Sequence, residues 1–354
     1  MRVEGEYDSV RVEQGLSLED IAHPPPGKYR YLFGPAEAYC DDIVTSIPGF
    51  ERLFLSEPRF RSLMERVKPT PAIWASSANV TAQLHYDPSH NFHMLLSGTK
   101  HVTLYPPEEW RRVRLYPSIH PAHRQLQRGA RPPECPSSKV FTLRAGEMLY
   151  IPPFWFHEIR TGDGAGGALS VTIISPSADE ILYTTYVKNA LVKELQSAPF
   201  HAPGASRHGR LIQAFGLLGA IFAQISQSAT ETASIASMFE ALRESRHTSL
   251  LSVTPDKCRT QMPRCFGLDL QDSDAAAGIK TFASLDRISS LARKFGGAIS
   301  QIQTEGAKQI VLGNLIETVV AWALTTTTEE GASHVPCFLN SCCALQSLQS
   351  LEDL

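Results

Sequence analysis

The stretch Ala78 to Phe92, ANVTAQLHYDPSHNF, places His85 and Asp87 two residues apart in a run that alternates polar with apolar side chains. In an extended strand, residues i and i+2 point to the same face. Thr81, Gln83, His85 and Asp87 therefore share one face, while Ala82, Leu84 and Tyr86 share the other. A polar stripe turned toward the inside of a β-structure costs kilocalories per group unless something satisfies it. A metal ion with a charged ligand would do so. Alone, a His-x-Asp pair is more often incidental than metal-binding, so its neighbours carry the weight.

Working outward, the chain from about residue 70 to 176 is dense in short runs of strand-forming residues, punctuated by Pro106-Pro107, Pro132-Pro133 and Pro152-Pro153. That spacing predicts an all-β sandwich or barrel. After Pro176 the period changes. Tyr183, Tyr186, Val187, Ala190, Leu191 and Leu195 recur at helical spacing, as do Leu285, Ile288, Leu291, Ala292, Phe295, Ile299 and Ile302. The runs LIQAFGLLGAIFAQI (Leu211–Ile225) and IVLGNLIETVVAWAL (Ile310–Leu324) read as buried helices, the first too short to span a bilayer comfortably. QSAPFHAPGASRHG and TPDKCRTQMPRCFGLDLQDSDAAAG read as loops or linkers. Near the front, Ser17 with Asp20 reads as a capping box for a short helix that Pro24-Pro25-Pro26 ends.

A third metal ligand should come from a distant strand, and GEMLYIPPFWFHEI offers His157 after an apolar strand and a Pro-Pro turn. Two imidazoles and one carboxylate leave three positions open on an octahedral iron(II), whereas zinc usually takes a set richer in His and Cys. Lys100 lies 15 residues after His85 at the start of KHVTLYPP, on the same strand face as Val102 and Leu104. A lysine facing a barrel interior is costly without an anion. The distal carboxylate of 2-oxoglutarate would be a suitable one.

Taken in order, NVTAQLHYDPSHNF, LSGTKHVTLYPPEEW and GEMLYIPPFWFHEI resemble the core of the Jumonji-C (cupin-like) family. They are similar especially to its small protein hydroxylases, such as the asparaginyl hydroxylase that modifies hypoxia-inducible factor. The resemblance covers roughly Tyr29 to Pro176. It implies a mainly β fold with added α: a double-stranded β-helix, or jelly-roll, core over 28–176, with an N-terminal extension over 1–27 and a helical region over 177–354. It also implies Fe(II) on His85, Asp87 and His157, and 2-oxoglutarate as co-substrate with O2. Lys100 would hold the distal carboxylate, helped by Thr81, Tyr31, Asn91 and Thr172, with Gln83 and Trp155 in the substrate-pocket wall. Phe154 and Phe156 would join Trp155 in excluding water. Thr172 stands where close relatives of that family place Asn, and Ile174 where they place an aromatic residue. The implied reaction is hydroxylation, with release of succinate and CO2. A protein side chain is the preferred substrate, and lysine demethylation is the chemically adjacent alternative.

A rival of another class is a binding module that keeps the barrel without turnover. A storage or sugar-isomerase cupin would instead be expected to show three His and a Glu. His90, His93 and His101 read as exposed strand-end residues without a role, and His120, His123, Arg124, Arg128 and Arg131 as a solvated loop. His334, Cys337, Cys342 and Cys343 have loosely zinc-like spacing but no convincing companion pair. A net charge of -3 argues against a broad nucleic-acid-binding face. Seven cysteines without a pairing pattern and no apolar leader predict a reducing intracellular compartment, cytoplasmic or nuclear, and no membrane association. Pairing of two copies through the C-terminal helices is the expected mode of self-association.

Overall fold

The computed structural model describes residues 15–38, 70–164, 166–196, 207–228, 235–247, 285–325, 335 and 337–339. The chain divides into two compact units, the first comprising 1–106 and 134–178, the second 107–133 and 179–354. The excursion between Pro106 and Glu134 thus groups with the helical part, although it lies inside the span 28–176 expected to form the jelly-roll domain. Most of the two linker-like stretches, 196–209 and 254–278, lies outside the described residues, as do His334, Cys342 and Cys343. Cys337 is buried and disulfide-bonded, which removes it from the zinc-like set.

The first unit opens with α1 (Leu18–Ala22), capped by Ser17, whose side chain accepts from the Asp20 N–H while the Asp20 carboxylate accepts from Ser17. Nine strands follow: β1 (Tyr31–Pro35), β2 (Thr70–Ser76), β3 (Thr81–Tyr86), β4 (His90–Ser97), β5 (Thr99–Tyr105), β6 (Lys139–Arg144), β7 (Met148–Ile151), β8 (Phe156–Thr161) and β9 (Ala168–Ser175). One sheet has the order β1-β2-β9-β4-β7 and the other β3-β8-β5-β6, with every pairing antiparallel. Sequence neighbours such as β3 and β4 fall in different sheets, the winding of a jelly roll. Inward positions of the two sheets meet: the Lys100 ammonium on β5 donates to Ser170 Oγ on β9 at 2.6 Å, and Ser76 Oγ on β2 lies 2.6 Å from Thr161 Oγ1 on β8.

The space between the sheets has two ends of opposite character. Toward β6 and β7 it is apolar, filled by Leu95, Val102, Leu104, Leu143, Ile151 and Ala168. Toward β1, β2 and β3 it is polar. A second apolar cluster, Ile73, Met94, Val171 and Ile173 with Ala36, belongs to the opposite face of the five-stranded sheet, as the period-2 alternation requires. The β4–β5 hairpin closes on Gly98 at φ 83°, where a Cβ would strike the Gly167 carbonyl and the backbone of Ala168.

In the second unit, α2 (Ala178–Tyr183) runs through a π-helical stretch (Thr184–Leu191) into α3 (Val192–Gln196). Then come α4 (Arg207–Ser228), α5 (Ile235–Ser245), α6 (Leu285–Ile299) and α7 (Glu305–Thr325). α6 buries Ile288, Ala292, Phe295 and Ile299, the face its sequence period predicts. At Gly296 a Cβ would come within 2.8 Å of Ser228 Cβ, so the absent side chain permits the close crossing of α6 with α4. α7 is apolar on all sides and long enough to cross a membrane, but 72% of its most apolar window is buried within the fold. It is the core helix of its unit. Glu317 on α7 is fully buried and meets Arg246 at 2.9 Å, His247 at 2.9 Å and the Ser118 N–H at 2.7 Å. Burial opposes its ionisation, yet Arg246 and the His247 hydrogen bond outweigh that and hold the carboxyl down at about 2.

Candidate metal centre

β3 and β8 bring His85 and His157 directly opposite each other, ring centroids 4.1 Å apart. Asp87 follows the end of β3, its carbonyl accepting from the Phe154 N–H at 2.8 Å. The ligand atoms of His85, Asp87 and His157 lie within 4.8 Å of one another, and His157 Nε2 is 3.7 Å from Asp87 Oδ2. Atoms about 2.1 Å from a shared ion can be at most about 4.2 Å apart, so the closer pair already fits and the widest spacing needs only a small adjustment. Both imidazoles are oriented from behind: His85 Nδ1 lies 2.6 Å from the Gln83 carbonyl and His157 Nδ1 3.0 Å from the Trp155 carbonyl. Those acceptors place the ring proton on Nδ1 and leave each Nε2 lone pair for a metal.

The pocket these residues open into measures about 450 Å³ with its mouth included. Tyr31, Asn91, Lys100 and Thr172 line it, as expected; Thr81, Gln83 and Trp155 do not. The reason lies in β3. Ala82 pairs with Ile159 and His85 with His157, so Gln83 and Leu84 together oppose Glu158: a β-bulge. One extra residue inverts the alternation. Val80 and Ala82 take the inward positions ahead of the bulge, and Thr81 and Gln83 turn away. Trp155 instead packs on the apolar cluster at the other end of the barrel, with Lys139 Nζ 5.6 Å from its ring centroid. Phe154 and Phe156 pack on Tyr86, on the face of β3 away from the ligands. The apolar wall is therefore Val80, Ala82, Ile159 and Trp74, and Ile174 is not part of it.

Lys100 is 5% exposed, and no carboxylate pairs with it among the described residues. Burial pulls its ammonium from the ordinary lysine value down to about 7. The pocket it lines is also lined by Ser76, Thr161, Thr172, Tyr31 and Trp74. Burial pushes the Tyr31 phenol above its ordinary value, so it remains an O–H donor. Trp74 Nε1 and Asn91 Oδ1 are buried without any hydrogen-bond partner. Orphaned polar atoms in one pocket with an uncompensated lysine are what a bound polar anion would relieve.

His93 corrects the reading that gave it no role: it is 3% exposed and lines the pocket. Its Nδ1 lies 3.0 Å from Thr172 Oγ1 and its Nε2 3.4 Å from Lys100 Nζ. Burial, then Lys100 and His157, hold it well below the ordinary histidine value. The signal was present in the sequence, since His93 is two residues beyond Asn91 on the same strand face. Trp74, Ser76 and Thr161 carried no comparable signal. His101 is exposed on the outer face, and His90 bonds Tyr150 at 2.8 Å away from the pocket. His120 is exposed and stacks on Tyr116 at 4.2 Å in the second unit.

The cupin-like domain family matches residues 20–174. Among curated proteins, a lysine-specific demethylase of Arabidopsis thaliana, JMJ31, is 31% identical over 100 residues, 25% of this chain and 18% of that protein. The bifunctional peptidase and (3S)-lysyl hydroxylase JMJD7 of Homo sapiens is 29% identical over 119 residues, 26% of this chain and 37% of that protein. JmjC domain-containing protein D of Dictyostelium discoideum is 30% identical over 99 residues, 25% of this chain and 21% of that protein. The chain thus spans well under half the length of these relatives. Solved oxalate decarboxylase from Bacillus subtilis covers 33% of this chain and 24% of its own at 14% identity and a TM-score of 0.22, too remote to inform function.

Proposed function

From a cupin-like domain of the Jumonji-C family at residues 20–174, we propose that this chain is an Fe(II)- and 2-oxoglutarate-dependent oxygenase that hydroxylates a protein side chain. The observation that carries the reading is the pairing, within one pocket, of a His-Asp-His set and a buried lysine that meets no carboxylate among the described residues. His85 and His157 on the four-stranded sheet and Asp87 just beyond β3 would hold the iron, a ligand set that would leave positions for co-substrate and O2. Lys100, with Ser76, Thr161, Tyr31 and Trp74 lining the same pocket, would hold the distal carboxylate of the co-substrate. Bound iron with 2-oxoglutarate and O2 supplies oxidation of an unactivated C–H, the co-substrate leaving as succinate and CO2. Val80, Ala82 and Ile159 keep water from the wall of the pocket, and Asn91, whose Nδ2 donates to Asp87 Oδ2 at 3.5 Å, orients that carboxylate.

Protein lysine is the substrate class that the names of the relatives support, since two are described as acting on lysine residues, one by demethylation and one by hydroxylation. Hydroxylation is preferred here because the core motifs resemble those of small protein hydroxylases and one of these relatives, JMJD7, is described as a (3S)-lysyl hydroxylase. The rival, a binding domain without turnover, drew on Thr172 and Ile174. Thr172 is engaged by His93, and Ile174 lies outside the pocket lining, so neither removes a metal ligand. The test is mass spectrometry on lysine-containing and methyl-lysine-containing peptide libraries, incubated aerobically with iron-loaded protein and 2-oxoglutarate. A gain of about 16 Da supports hydroxylation and a loss of about 14 Da demethylation. Succinate production without either shift on any peptide would refute the protein-substrate assignment.

A further inference from the structure

We propose that His93 is a second binding residue for the distal carboxylate of the co-substrate, switching tautomer as that carboxylate arrives; the assignment rests on the oxygenase reading above. His93 and Thr172 are directly opposed across β4 and β9, with Nδ1 3.0 Å from the Thr172 hydroxyl oxygen. On its other side, Nε2 lies 3.4 Å from Lys100 Nζ. An ammonium has three donors and no lone pair, so toward Lys100 the His93 Nε2 is the acceptor. The ring proton then sits on Nδ1 and is donated to Thr172 Oγ1.

A carboxylate bound on Lys100 reverses that demand. It offers only lone pairs, and a lone pair on Nε2 facing it would repel it. The Thr172 hydroxyl can donate as readily as it accepts. Once it rotates to donate to Nδ1, the ring carries its proton on Nε2 and donates to the carboxylate. One proton leaves Nδ1 and one is gained at Nε2, so the ring stays neutral and the pocket keeps a single positive charge, that of Lys100. Threonine, unlike valine of the same shape, supports both states. Serine hydroxyls serve the lysine in the same adaptable way: Ser170 Oγ accepts from Lys100 at 2.6 Å while facing the Trp74 carbonyl at 3.4 Å.

The test is calorimetric titration of the Mn(II)-loaded 354-residue chain under nitrogen, using 2-oxoglutarate and 2-oxobutanoate, which has the 2-oxo-acid end but no distal carboxylate. His93→Leu should weaken 2-oxoglutarate about tenfold or more and leave 2-oxobutanoate unchanged, because one charge-assisted hydrogen bond is lost. His93→Gln, with a donor and an acceptor at its tip, should stay within about threefold of wild type. Thr172→Val, which can neither accept from Nδ1 nor donate to it, should weaken 2-oxoglutarate more than 2-oxobutanoate. In the Zn(II)-loaded protein, long-range ¹H–¹⁵N spectra should show the His93 proton move from Nδ1 to Nε2 on adding 2-oxoglutarate. Equal weakening of both ligands by His93→Leu, no weakening of 2-oxoglutarate, or an unmoved tautomer would overturn the assignment while leaving the oxygenase reading standing. A wild-type protein that takes up Mn(II) but not 2-oxoglutarate would overturn both.

Discussion

Replacing Lys100 by Met should make the protein more stable and unable to bind 2-oxoglutarate, a pairing that follows from a charge buried for a ligand rather than for the fold. With the ammonium pulled from 10.5 to about 7 in the folded chain, the native state binds fewer protons than the unfolded chain between those values. Stability therefore rises with pH across that window, and the penalty is complete only below about 7. Converted at about 1.4 kcal/mol per tenfold, keeping the ammonium buried costs about 4 kcal/mol at pH 7 and about 2 kcal/mol at pH 9. Methionine fills similar volume without charge. Against the gain stands the loss of the bond to Ser170, about 1 kcal/mol. The net is a gain of about 3 kcal/mol at pH 7, or roughly 5–10 °C in melting temperature for a domain of this size. The assay is thermal unfolding of metal-free wild type and Lys100→Met at pH 7 and pH 9, followed by titration with 2-oxoglutarate after metal loading. A variant that melts lower than wild type at pH 7, or one whose advantage grows toward pH 9, would refute the reasoning.

Two other perturbations test the packing within each unit by itself. Glu317→Gln removes one partner of a buried ion pair in the helical unit and should cost about 3–5 kcal/mol at neutral pH. Because the Glu317 carboxyl is depressed to about 2, its contribution is present above the unfolded value of 4.5 and lost as pH falls toward about 2. Chemical unfolding curves should therefore converge for wild type and Glu317→Gln across that acid range, and curves that stay parallel would contradict the assignment. Gly98→Ala forces a left-handed residue and a clash with the Gly167 carbonyl, so the β4–β5 hairpin should lose at least about 2 kcal/mol; an unchanged melting temperature would argue against that close approach.

What the sequence made legible was whatever a strict period or a chemically demanding residue announces. His85, Asp87 and His157 stood out because two imidazoles and a carboxylate on strands need a purpose, and the structure gathers them within 4.8 Å. Lys100 stood out because its strand face was otherwise apolar, and it is buried beside Ser170. The rest of the pocket was hidden by one local irregularity and by topology. A single extra residue at Gln83–Leu84 inverts the face of β3, which no alternation rule foresees, so Thr81 and Gln83 were assigned to a pocket that Val80 and Ala82 line. His93 was set aside by its type, although its parity with Asn91 placed it inside. Trp74, Ser76 and Thr161 belong to the pocket through pairing between strands far apart in the chain, information that lies in topology rather than in any window of residues.

The most direct test of the central claim is succinate release from 2-oxoglutarate by iron(II)-loaded protein on admission of air, measured for wild type and Asp87→Ala. The account predicts succinate from wild type and none above the iron-only blank from Asp87→Ala, with both proteins folded by circular dichroism. Iron-loaded wild type that yields no succinate, or an Asp87→Ala protein that yields as much as wild type, would contradict it.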